Sequence, residues 1–181
     1  DEGFIQILDF PETIRCVDSD WSPVDVLEEE INCDSVCFSL DDINVLQQFI
    51  NNSQSGINSP PFDLNPIEVG FQLWSKDNGR LIMFCGTGED HEDIYGGYSI
   101  TEYELSGEIP MVIGGLDELV WMDLRYNQLS GNIPSQIENL NNLTNLIIMS
   151  TSMTGEFPTE IWNLYNLRML GISDIQFTGN I

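Results

Sequence analysis

The densest group of reactive side chains lies in segment 86–93, GTGEDHED, where Glu89, Asp90, Glu92 and Asp93 surround His91. Clustered carboxylates on a glycine-bearing loop supply the oxygen ligands that Ca²⁺ takes, so these four are the candidate metal ligands. They lack the spacing of an EF-hand loop, and the reading adopted is a solvated acidic loop holding no metal or other cofactor. His91 between two aspartates suits acid–base work. It is, however, the single histidine of the chain, and no nucleophile pattern accompanies it. Gly86 and Gly88 precede no lysine-bearing helix, so they make no phosphate loop. The chain reads as non-catalytic.

Covalent chemistry is written elsewhere. Cys16, Cys33, Cys37 and Cys85 lack zinc-ligand spacing, and four cysteines allow two disulfides in three connectivities. The pairing expected first is Cys16–Cys33 with Cys37–Cys85. Asn51-Asn52-Ser53 and Asn142-Leu143-Thr144 are acceptor triplets for N-linked glycan, at Asn51 and Asn142. Both features belong to a secreted or extracellular chain. No apolar run approaches the roughly 20 residues of a membrane helix, and the absence of a leader fits a mature chain.

The 181 residues carry a net charge of −25. Residues 1–104 hold 22 acidic and 3 basic side chains, and residues 105–181 hold 8 and 2, so the acidity is concentrated at the amino-terminal end. Nucleic acid is excluded as a partner, because its phosphates need a positive surface. Cationic partners or Ca²⁺ remain compatible with this charge.

The elements that must position any site follow from a period. Gly107, Gly131, Gly155 and Gly179 stand 24 residues apart, inside LSGEIP, LSGNIP, MTGEFP and FTGNI. A fixed period of this size denotes stacked supersecondary units. Aligned on the glycines, Leu119, Leu143 and Leu167 coincide, as do Met122, Leu146 and Leu170. Leu124, Ile148 and Ile172 make a third apolar row, and Leu129, Met153 and Phe177 a fourth. The spacing L-x-x-L-x-L predicts one short strand per unit with alternate side chains inward, and strands of successive units pairing roughly 4.8 Å apart. Pro110, Pro134 and Pro158 then fix φ where the chain crosses the outer face.

These phrases resemble the plant-type extracellular leucine-rich repeat, over residues 98–181. The resemblance implies a solenoid, a right-handed superhelix with a parallel β-sheet on its concave face, of about three and a half repeats and incomplete at its C-terminal end. It also implies an α+β N-terminal cap, here the acidic residues 1–97 with helices and disulfides. A helix starting at Ser39-Leu40-Asp41-Asp42, with Ile43, Leu46, Phe49 and Ile50 at helical spacing, fits such a cap. Asp42, Leu46, Phe49, Trp74, Gly79 and Cys85 carry that part of the likeness. A further helix start is expected at Ser22-Pro23, and strands at Phe71-Gln72-Leu73-Trp74 and 81–85. The consensus asparagine, which would satisfy backbone groups of neighbouring coils, is present only at Asn127. Tyr103, Thr151 and Ile175 replace it elsewhere.

Function is then expected on the concave strand face. Its non-ladder positions are Ser99, Thr101 and Glu102, then Trp121, Asp123, Arg125 and Tyr126, then Asn145, Ile147, Met149 and Ser150, then Met169, Gly171, Ser173 and Asp174. Exposed Trp121, Ile147, Met149 and Met169 would form an apolar patch of the kind that marks an interface, and Trp, Tyr and Arg are frequent hot-spot residues. The resemblance implies an extracellular recognition or adhesion module that binds a protein or glycan ligand. The alternative is a self-assembling subunit of a fibre or wall layer, because the apolar ladder ends at Leu170, Ile172, Phe177 and Ile181 without a polar closing unit. On either reading the chain is the N-terminal part of something longer, or copies of itself or another molecule cover its open end.

Overall fold

A computed structural model describes residues 14–17, 36–75, 77–86 and 103–178. The acidic loop with Glu89, Asp90, His91, Glu92 and Asp93 lies outside the described residues, as do Cys33, the Ser22-Pro23 start and the first-coil positions Ser99, Thr101 and Glu102. The side chains of Cys16 and Cys37 lie outside them too.

Two short strands, β1 (Ile14–Val17) and β2 (Val36–Ser39), pair antiparallel, with Cys16 opposite Cys37 in the backbone register. Helix α1 (Leu40–Asn52) follows directly. Ser39 caps it by accepting from the Asp42 amide at 3.5 Å, and Asp41 and Asp42 place negative charge on its positive end. Ile43, Leu46, Phe49 and Ile50 are all buried, as their spacing predicts.

Strands β3 (Phe71–Trp74) and β4 (Leu81–Cys85) form an antiparallel hairpin. The far edge of β4 pairs in parallel with β6 (Trp121–Asp123), which pairs in turn with β8 (Asn145–Ile147) and β10 (Met169–Gly171). The five-stranded sheet therefore begins inside the segment assigned to the cap. Phe84 pairs with Met122, 38 positions on, whereas Met122 pairs with Leu146 after one period of 24. The partner that β6 requires comes from 81–85, where Leu81 and Phe84 bury completely as Leu119 and Met122 do.

Each coil also contributes to a second parallel sheet, which the spacing did not reveal. Its strands are β5 (Ser106–Glu108), β7 (Gln128–Gly131), β9 (Ser152–Glu156) and β11 (Gln176–Thr178). The register pairs Gly107 with Leu129, Gly131 with Met153 and Gly155 with Phe177, two residues short of the period. An even stagger leaves the alternation of faces unchanged, so Leu129 and Met153 still point into the core. The glycines adopt positive φ, +72° at Gly107, and a Cβ there would stand 2.5 Å from the Asn52 carbonyl oxygen. After each glycine, Pro110, Pro134 or Pro158 leads into a single helical turn that buries Ile113, Ile137 or Ile161.

One continuous core runs from α1 to the third turn. Leu119, Leu124, Leu143, Leu146, Ile148 and Met153 are fully buried, each worth roughly 1.5–3 kcal/mol. Leu167, Leu170, Ile172 and Phe177 are half-buried against it.

Two polar devices fasten α1 to the coils. Asp42, fully buried, accepts from Arg80 Nε at 2.9 Å and Nη2 at 2.9 Å and from the Leu81 amide at 2.7 Å. Arg80 also donates to the Gly115 carbonyl and meets Asp117 at 2.6 Å. At the other end of the helix, Ser53 Oγ donates to the Phe49 carbonyl at 2.6 Å and accepts from the Ser106 amide at 3.0 Å. Asn52 Nδ2 donates to the Glu108 carbonyl at 2.8 Å. The last turn of α1 thereby satisfies groups on the edge of β5 that would otherwise stand open.

Candidate functional site

The outer face of the five-stranded sheet is made of two columns, because alternate residues of each strand point outward. The register places Met83, Trp121, Asn145 and Met169 side by side in one, and Cys85, Asp123, Ile147 and Gly171 in the other. Met122, Leu146 and Leu170 alternate with them on the core side.

The two columns differ in access. Met83, Trp121 and Asn145 are half-buried and Met169 is 49% exposed. Asn145 Nδ2 donates to the Met169 sulfur at 3.5 Å, and its Oδ1 accepts from Thr144 Oγ1 at 2.7 Å. In the second column Cys85 and Asp123 are fully buried and Ile147 retains 5% of its surface. Asp123 and Ile147, both expected on the accessible concave face and Ile147 in its apolar patch, are therefore not accessible, which corrects the sequence expectation.

The physical reason at Asp123 is a neighbour two residues away. Its carboxylate accepts from Arg125 Nε at 2.9 and 3.0 Å and from the Arg125 amide at 3.2 Å. A buried carboxylate needs such a partner, so the Arg125 guanidinium is committed to this pair and its side chain is only 13% exposed. Ile147 lies beside Gly171, where a Cβ would come within 3.1 Å of it and within 3.0 Å of the Met149 sulfur. The missing side chain at Gly171 is what lets Ile147 and half-buried Met149 settle against the sheet. Tyr126, half-buried, sits at the strand end with φ of 55°, and Ser150 and Asp174 repeat that left-handed turn one and two coils later.

Charge follows the same bookkeeping. Arg80 and Arg125 both face buried carboxylates, and hydrogen bonding to Asp42 is the main reason the Arg80 guanidinium is held above the usual arginine range. Among the side chains described, Arg168 is the one exposed cation, whereas Glu108, Asp117, Glu118, Glu156 and Asp174 are all exposed. The described surface is thus predominantly anionic. No group of three or more metal-ligating side chains occurs among the described residues. No helix among them is long and apolar enough to cross a membrane.

The two glycan triplets occupy different settings. Asn142 is exposed, just before β8, and donates to the Asp117 carbonyl at 2.9 Å. Asn51 is half-buried in the last turn of α1, accepting from Gln47 Nε2 at 3.1 Å, and its partner Ser53 is fully buried.

Sequence reasoning missed Met83 as a column member and the clearance at Gly171. A signal for Met83 exists, since Leu81-x-x-Phe84 has the spacing of Leu119-x-x-Met122. The insertion after β4 takes it out of the 24-residue frame.

No protein-family model matches the chain, and no curated protein matches it. Solved structures do. The leucine-rich-repeat ectodomain of the receptor kinase SOBIR1 from Arabidopsis thaliana superposes with a TM-score of 0.56 at 23% identity, over 80% of this chain and 72% of that one. PEPR1, in the PEPR1–AtPEP1 structure, gives 0.55 at 21% identity over 77% of this chain. A plant ice-binding protein gives 0.50 at 22% identity, over 73% of this chain and 41% of that one. The chain spans only 19% of PEPR1 and 14% of a TDR receptor. With its 24-residue phrase and its paired parallel strands, the chain has the leucine-rich-repeat fold of the plant extracellular ectodomains.

Proposed function

We propose that the chain is an extracellular, non-catalytic recognition module, a capped right-handed solenoid that binds a protein or peptide on the outer face of the five-stranded sheet. The observation that carries the proposal is the in-register column of Met83, Trp121, Asn145 and Met169 on a backbone-paired sheet. A rigid row that mixes thioether, indole and amide groups offers apolar contact area and hydrogen bonding at low entropic cost. Similarity of fold to PEPR1 in its structure with AtPEP1 supports a peptide or protein as the class of partner. The anionic surface favours a basic partner, whose association would slow as salt screens the field.

The test is selection of binders from a displayed peptide library on the whole chain, followed by affinity measurements on variants. Met169→Asp and Asn145→Arg in the column should weaken binding by at least about tenfold, or roughly 1.4 kcal/mol. Glu156→Gln on the second sheet should leave it within about twofold. Binders indifferent to both column variants would refute the assignment.

A further inference from the structure

We infer that Asn142 is a site of N-linked glycosylation and that Asn51, despite its own acceptor triplet, is not. The inference rests on the extracellular reading above, and it concerns a different surface from the proposed binding column.

The triplet Asn142-Leu143-Thr144 folds with its asparagine on the outside and its apolar residue inside: Leu143 is fully buried, and Asn142 is exposed. Asn142 Nδ2 carries two hydrogens. One donates to the Asp117 carbonyl at 2.9 Å, and the other has only a 3.5 Å contact with the exposed Glu118 carboxylate. Transfer would join Nδ2 to the anomeric carbon of a polyprenyl-diphosphate-linked oligosaccharide. The bond from that carbon to the diphosphate oxygen breaks, the diphosphate leaves as an anion, and the amide gives one proton to the medium. The hydrogen that remains is enough for the Asp117 bond, so the folded coil keeps its contact and loses only the long one. Leu143 stays in the ladder, because the modification adds nothing on its side of the backbone.

Asn51 presents the opposite case. Its Oδ1 is engaged by Gln47, and it lies half-buried in the turn of α1 that seals the edge of β5. Asn52 and Ser53, the other two residues of the triplet, are both bonded to that strand. A sugar there would stand against the contact between α1 and the second sheet.

A glycan on Asn142 would occupy the side of the five-stranded sheet where the strands begin, three residues before Asn145. It would leave clear the other side, where Tyr126, Ser150 and Asp174 turn the chain. A partner reaching the column therefore approaches from that second side.

The experiment uses the whole chain, directed through a eukaryotic secretory pathway by an added leader. Enzymatic release of glycan in heavy-oxygen water converts each glycosylated asparagine to labelled aspartate, which peptide mass spectrometry locates. The expected result is label at position 142, none at position 51, and loss of the label in Asn142→Gln and independently in Thr144→Ala. A secreted chain without label at 142, or with comparable label at 51, overturns this inference and leaves the extracellular reading standing. A chain that is folded when made in bacteria, yet is retained inside the eukaryotic cell and unlabelled, overturns both.

Discussion

The asparagine at 127 offers a sharp test of how the coils are held together. Asn127 is 4% exposed; its Oδ1 accepts from the Leu105 amide at 2.7 Å, and its Nδ2 donates to the Leu124 carbonyl at 3.0 Å and to the Gly86 carbonyl. One side chain thus serves backbone groups on both sides of its own turn. Replacing it with alanine leaves the buried Leu105 N–H without its acceptor, at about 1–3 kcal/mol, and removes the donor that the Gly86, Leu124 and Arg125 carbonyls share, for a total of about 2–4 kcal/mol. For a chain of this size that is a drop of about 4–16 °C in Tm. The coil that follows has the opposite defect: Thr151 Oγ1 is buried and has no hydrogen-bond partner among the described residues. Thr151→Asn should give the Ile148 carbonyl, three residues upstream as Leu124 is of Asn127, an amide donor worth about 1 kcal/mol. Urea unfolding followed by circular dichroism measures both, with the slope expected unchanged because the buried surface is the same. If Asn127→Ala unfolds within about 0.5 kcal/mol of the parent chain, or if Thr151→Asn lowers the midpoint, the asparagine does not do what its bonds suggest.

Three further outcomes follow from other parts of the structure. Asp42→Ala should cost about 3–5 kcal/mol by stranding Arg80 and the Leu81 amide, and the double variant with Arg80→Met should recover part of that loss in the same unfolding assay. Gly107→Ala, forced into positive φ against the Asn52 carbonyl, should destabilise by more than about 1 kcal/mol, whereas Gly115→Ala, whose Cβ would meet nothing closer than 3.9 Å, should change stability by less than about 1 kcal/mol. Ile147→Asp should unfold the chain at markedly lower urea, by about 3 kcal/mol, while Met169→Asp should shift it by under about 0.5 kcal/mol; equal effects would mean the two columns do not differ in access.

The sequence by itself determined the repeat. A 24-residue period in apolar residues, glycine and proline is a local statement repeated, and stacking is the one arrangement in which all copies bury the same face. That is why Leu124 and Ile148 could be placed in the core as neighbours, and why the α1 start at Ser39 was legible from a cap and a spacing. Tertiary structure alone decided which segment borders β6. The partner of β6 is β4, brought in from outside the period, because an unpaired strand edge takes whichever extended segment can reach it. The second sheet was hidden because its strands are three to five residues long, with few apolar side chains and a stagger that no alignment on glycine exposes. The site was half legible for a related reason. Alternation tells which residues point outward, and so named Trp121, Asn145 and Met169, but it cannot tell what then covers them. Asp123 faces outward as the pattern requires and is buried all the same, because Arg125 folds back on it; exposure is a property of the assembled surface, and a period carries no information about it.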